Sequence, residues 1–206
     1  ANTEFTVAGA PSWYQVAAAY TMMGIEHILL GIDHLLFVLG LLLIVPNRWA
    51  LVKTITAFTV AHSITLALAV LGVVNVPSQP VDAAIALSIV FLGVEIIHTR
   101  RGHLGLTARY PWVVSVGFGL LHGLGFAGAL TNLGLPAGDI PIALLFFNVG
   151  VEMGQLMFVA FFLAMGWAYR TLEVKWPQWS QSLPAYSIGT IAMYWFIGRL
   201  LIILPI

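Results

Sequence analysis

The chain contains no cysteine. That excludes disulfides and thiolate metal sites, and leaves nitrogen and oxygen as the donors for any bound metal. Charge is scarce as well: 8% of residues are Asp, Glu, Lys or Arg, against about 25% in a soluble domain. With 60% hydrophobic residues and a mean hydropathy of +0.98, a water-soluble globular fold is excluded and an integral membrane chain is indicated. A formal net charge of zero offers no basic face to a nucleic-acid partner. There is no G-x-x-x-x-G-K-[ST] loop, so ATP coupling within this chain is not expected, although a separate ATPase is left open. The first residue is Ala1, and the first twenty residues hold no continuous apolar run. A processed mature terminus is expected, ahead of a trimmed one, and not a retained signal peptide.

What is abundant is apolar sequence in runs of the length that crosses a bilayer, about 20 residues. Six such runs occur, at residues 22–45, 50–72, 82–99, 111–131, 140–169 and 184–204. Pro46-Asn47-Arg48, Val76 to Pro80, Thr99 to Gly102, Gly134 to Gly138 and the stretch from Lys175 to Pro184 separate them, all of them breaker-rich or charged. The expected fold is an all-α bundle of six transmembrane helices, a single transmembrane domain over residues 1–206, because no linker is long enough to divide it. Arg48, Lys53, Arg100, Arg101, Arg109, Arg170 and Lys175 gather in loops on one side, and only Arg199 falls on the other. The positive-inside rule then puts both termini outside, in a bacterium the periplasm, and makes the chain a multi-pass inner-membrane protein. Trp13, Tyr14, Trp49, Tyr110, Trp112, Trp167, Tyr169, Trp176 and Trp179 lie near span ends and read as interface anchors. Asp82 is expected just before the third span, with Pro111 and Pro141 opening the fourth and fifth. Five glycines between Gly117 and Gly128 predict a helix packed closely against its neighbours.

Against this apolar background the ionisable residues stand out, since each ionised group near a bilayer centre costs about 2.5–3.5 kcal/mol on insertion scales. At 1.5 Å per residue, His34, His62, His122 and Glu152 each lie about eleven or twelve residues into their spans. They share one layer near the midplane. Glu26 with Asp33, and His27 with His34, are seven apart on adjacent strips of the first span. Asn148, Glu152 and Gln155 form a stripe on the fifth span, Ser88 and Glu95 one on the third, and Thr56, Thr59, Ser63 and Thr65 accompany His62. Lipid offers these groups no partners, so they should face the bundle interior.

Seven residues of straight helix span about 10 Å, too far for one ion with bonds of about 2.0–2.1 Å. Glu26 and His27 are therefore expected as an outer rung, and Asp33 and His34 as an inner one in the layer of His62, His122 and Glu152. A bend at Gly24 or Gly31 is the alternative that would bring the rungs together. Hydrogen-bonded packing is an equally good account of Ser88, Glu95 and Gln155. His98 and His103 read as solvated loop residues, and Met22, Met23, Met153, Met157 and Met165 as packing. Imidazole and carboxylate without thiolate suit divalent Ni, Co, Zn or Fe and do not choose among them.

Several of these segments, His27-Ile-Leu-Leu-Gly-Ile-Asp33-His34, Thr59-Val-Ala-His62-Ser63, His122-Gly-Leu-Gly-Phe-Ala-Gly128 and Phe147-Asn148-Val-Gly-Val-Glu152-Met-Gly-Gln155, resemble the HupE/UreJ group of small membrane proteins. The resemblance covers most of residues 20–170. It implies a nickel permease, with His27, Asp33 and His34 as ligands along the metal path. Ile28 stands where the family often has proline, as in its second subgroup.

A divalent-metal permease or facilitator, with nickel first and cobalt, zinc or iron behind it, is thus the leading expectation. The metal ligands would be His27, Asp33, His34, His62, His122 and Glu152, while Glu26, Glu95, Asn148 and Gln155 would orient them or extend the path. Protons should compete with the metal for the histidines. An intramembrane metal hydrolase, with Glu152 or Glu95 activating a bound water, stays open. So do a haem carrier using His62 and His122 and a scaffold subunit. A non-enzyme is favoured over an enzyme. The expected partners are the lipid bilayer and the metal ion, and a homo-oligomer or a membrane-complex partner is left open.

Overall fold

The computed structural model describes residues 12–131, 138–170, 177 and 182–204. Among these the chain is helical, with no strand. In order the helices are α1 (Trp13–Leu30), α2 (Ile32–Ile44), α3 (Arg48–Val70), α4 (Ser78–Arg100), α5 (Leu106–Arg109), α6 (Pro111–Thr131), α7 (Ile140–Arg170) and α8 (Leu183–Ile203). By length and apolarity α3, α4, α7 and α8 can each cross a membrane, and α1 with α2 passes the same test as one bent unit, giving four or five candidate spans. In α6 the apolar segment Pro111–Phe126 is shorter. Lys175, Trp176 and Trp179 lie outside the described residues.

Local chemistry explains most of the boundaries. Asn47 caps α3, its side-chain oxygen accepting from the backbone N–H groups of Trp49 (2.9 Å) and Ala50 (3.3 Å), two donors a helix start leaves orphaned. Pro111 opens α6 as expected. Two starts differ from expectation. The α4 helix begins at Ser78, with Pro80 tolerated in its first turn, so Asp82 sits inside the helix and not before it. The first span begins at Trp13, nine residues before residue 22, where Gln15 accepts from the Ser12 N–H at 2.9 Å.

The larger departure is at Gly31. The first span is broken there, α1 and α2 meeting at 73°. The backbone at Gly31 is ordinary (φ −79°, ψ 91°), so space and not conformation calls for glycine. A Cβ there would lie 2.7 Å from the His27 carbonyl oxygen, 3.0 Å from His34 Nδ1 and 3.2 Å from an Asp33 carboxylate oxygen.

Three helix pairs carry most of the packing, and glycine lets each approach closely, as expected where lipid supplies no hydrophobic drive between helices. On α6, Gly119 lies against the Phe58 carbonyl and Gly123 against that of His62, so α3 and α6 run parallel. Gly150 meets the Thr21 carbonyl and Gly154 meets Ile28, so α1 and α7 also run parallel. Gly93 faces Gly189, whose Cα a Cβ on Gly93 would approach to 3.0 Å, while Asp82 pairs with Arg199, which makes α4 and α8 antiparallel. Phe37, Leu41, Phe58, Ile89 and Leu92 fill one apolar core, and Ile28, Leu66, Phe147 and Val151 a second. The break between α1 and α2 lies among these elements.

Candidate metal centre

His27 closes the last turn of α1, and Asp33 and His34 open α2. Because the helix is broken between them, the His27 and His34 rings meet at a centroid distance of 4.6 Å. The separated rungs expected of a straight helix are therefore not present: His27 belongs to the centre. Glu26 does not follow it and is exposed. His62 on α3 lies 6.2 Å from the His27 ring and 6.1 Å from that of His34. From α6, His122 reaches 4.9 Å from His34.

These side chains form two groups of three potential ligands, His27–His34–His62 and Asp33–His34–His122, with the ligand atoms of each within 4.8 Å of one another. A tetrahedral ion with bonds of about 2.05 Å holds its ligands roughly 3.4 Å apart, so modest side-chain rotation would close either group. His34 belongs to both. An ion held in one group is one ring away from the other.

Neighbouring residues fix the rings. Asp33 accepts from the His34 backbone N–H at 2.9 Å and faces His34 Nδ1 at 3.1 Å. Asn148, on α7, holds His62 Nδ1 at 3.1 Å and is itself anchored by donating to the Leu144 carbonyl at 2.8 Å. Ser88, on α4, lies 3.4 Å from His122 Nε2. The opposite nitrogens, Nε2 of His27, His34 and His62 and Nδ1 of His122, are buried without a hydrogen-bond partner. Aromatic rings surround them: Phe58 packs on both His62 and His122, and Phe126 packs 4.0 Å from His27. His34, His62 and His122 thus each have one nitrogen facing a polar side chain and one left bare. His34, His62 and His122 are at most 4% exposed.

The remaining candidates lie around this centre or away from it. Glu152 is in neither group; it accepts from the Thr56 hydroxyl at 2.6 Å, and Gln155 accepts from that of Thr59 at 3.0 Å. These pairs continue the α3–α7 seam from His62 toward the Arg48 end of α3 and the Arg170 end of α7. Glu95 is buried elsewhere, accepting from the Thr107 backbone N–H at 2.6 Å and packed against Gly105, so it ties down the loop that carries α5. His98 and His103 are exposed. Sequence reasoning missed Asp82 and Arg199. They form an ion pair and line one small pit together with Asp33. The available signal was Arg199, the one cation expected apart from the loops that hold the other seven.

The family model described as HupE / UreJ protein matches residues 2–199. The chain belongs to the HupE/UreJ family. That family is generally linked to metal uptake, of nickel or cobalt, and the apolar helices mark this member as a multi-pass membrane protein. No curated protein and no solved structure matches the chain. In this HupE/UreJ member the match includes every residue of both ligand groups. Ile28 is fully buried and packs on Gly154 of α7.

Proposed function

We propose that this chain is a permease for a divalent transition metal, nickel first, carrying the ion across the inner membrane from the periplasmic face inward through six alternating spans with both termini outside. The observation that carries this reading is the set of four buried imidazole nitrogens without partners, gathered in two three-ligand groups that share His34. Each unpaired buried polar atom costs about 1–3 kcal/mol. A transient ligand for all of them is the economical account.

Two open groups joined at one ring suit passage better than storage. An ion entering at Asp33, His34 and His122 can be passed through His34 to His27 and His62 without returning to water. Asn148 keeps the His62 ring turned toward the incoming ion. Onward, Glu152 with Thr56 and Gln155 with Thr59 offer oxygen donors toward the Arg-rich side. The broken helix supports the same reading, because half-helix ends expose carbonyls and partial charge where transporters hold their cargo. The hydrolase alternative is less well supported: Glu152 and Glu95, its expected water-activating carboxylates, are bonded to Thr56 and to the Thr107 N–H.

Uptake by proteoliposomes tests the proposal. Nickel, cobalt, zinc and iron(II) are offered to vesicles bearing wild type, His34→Ala or Asp33→Asn. Wild type should concentrate nickel, and His34→Ala, which damages both groups, should lose at least about tenfold in flux, the equivalent of ~1.4 kcal/mol. Equal flux in all three proteins would sink the assignment.

A further inference from the structure

The two ligand groups need a way in from water, and one small pit provides it. Asp33, Asp82, Ile85, Ala86, Trp195 and Arg199 enclose a space of about 40 Å³, several times the ~10–15 Å³ that one water requires. Asp33 lines the same pit, its side chain 36% exposed, and already belongs to the Asp33–His34–His122 group. Its rim carries the Asp82–Arg199 ion pair, with side chains 29% and 49% exposed, so the rim reaches solvent. The pair joins the start of α4 to the end of α8, the end that the preceding reading puts outside.

We propose that Asp82 and Arg199 form a charge-operated door to the metal path. With no ion present, the Arg199 guanidinium neutralises Asp82 and occupies one side of the pit as a tethered stand-in for the cargo. An arriving divalent cation exchanges with it on Asp82, the guanidinium swings toward water, and the ion moves down to Asp33. The exchange keeps the carboxylate paired at each stage, so neither a bare acid nor a bare cation is left at the membrane edge. A monovalent guanidinium competes poorly with a doubly charged ion for the same oxygens, which lets the cargo itself open the door. This inference rests on the permease reading, but it concerns a docking site that can be tested without transport.

The chain has no cysteine, so Ala86→Cys places a single reporter thiol in the wall of the pit. Its reaction with a small cationic methanethiosulfonate is followed with and without nickel, in backgrounds carrying Arg199, Arg199→Gln, Arg199→Lys or Asp82→Asn. The proposal expects slow labelling with Arg199 or Lys at this position and labelling several-fold faster with Gln. Nickel should protect the thiol in the Arg199 background, and that protection should require Asp82. In the same vesicles Asp82→Asn should raise the nickel concentration for half-maximal uptake about tenfold, as loss of a steering charge does. Labelling and protection indifferent to both residues, with uptake intact, would overturn the door and leave the permease standing. Protection that depends on Asp82 without uptake would keep the docking site and overturn the permease. Should Ala86→Cys not yield a monodisperse protein, the uptake comparison alone decides: unchanged half-saturation in both Asp82→Asn and Arg199→Gln would overturn the door.

Discussion

At the scale of single residues, the difference between Glu95 and His34 is one of partners. Both are buried, but Glu95 is satisfied by the Thr107 N–H, whereas His34 keeps Nε2 bare. The first is structural chemistry and the second waits for a ligand. Glu95→Ala should therefore destabilise the protein without touching the path: stranding the Thr107 N–H costs about 1–3 kcal/mol, to be read as a lowered Tm of the purified protein, while nickel flux per folded molecule stays at the wild-type level. Loss of flux with an unchanged Tm would reverse that assignment. From sequence the two residues looked alike, since both are ionisable groups in apolar helices. That His34, His62 and His122 belong together was legible from imidazoles set within apolar runs, although the depth counted for His34 assumed an unbroken span from residue 22. Glu95 could not be sorted, because its partner is a backbone N–H twelve residues on that no pattern of side chains announces.

At the scale of elements, the break at Gly31 decides which residues meet. A continuous helix would hold His27 about 10 Å from His34, and the expectation of two rungs followed correctly from that premise. The premise failed because one glycine makes room for an Asp33–His34 pair folded back against the end of α1. Gly24, the other glycine that offered a bend, is used differently, for close contact with Phe147 and Gly150 of α7. A glycine on an apolar helix can serve either purpose, and only its three-dimensional neighbours separate them. Gly31→Ala tests the account. Its methyl would press on His27, Asp33 and His34 together, overpacking of a kind that costs ~1–3 kcal/mol, so nickel flux should fall about tenfold. Gly117→Ala, on α6 where a Cβ meets nothing within 4 Å, should leave flux unchanged. Equal behaviour of the two variants would mean that the break does not set the ligand geometry.

At the scale of the whole molecule, the helix directions bear on how many times the chain crosses the membrane. In a chain of alternating spans, helices an even number of crossings apart run the same way and those an odd number apart run oppositely. The parallel pairs α3 with α6 and α1 with α7 join the second span to the fourth and the first to the fifth, and the antiparallel pair α4 with α8 joins the third to the sixth. All three agree with six crossings, provided that α1 and α2 count as one and α6 counts as a span. Apolar run lengths made the membrane-spanning helices α3, α4, α7 and α8 legible from sequence, but which helices pair was not, because small residues permit a close approach without naming its partner. In the proposed orientation, which follows the lopsided Lys/Arg count, Asp82 and Arg199 lie outside and the Arg100–Arg101 end of α4 inside. Single cysteines in the naturally cysteine-free chain read this directly. Ser78 and His103 are exposed near opposite ends of the third span. In intact cells whose outer membrane admits an impermeant maleimide, Ser78→Cys should label at once, and His103→Cys only after the inner membrane is opened. Labelling of both from outside would remove the crossing between them, and the reverse pattern would invert the molecule and turn the Asp82–Arg199 door into an exit.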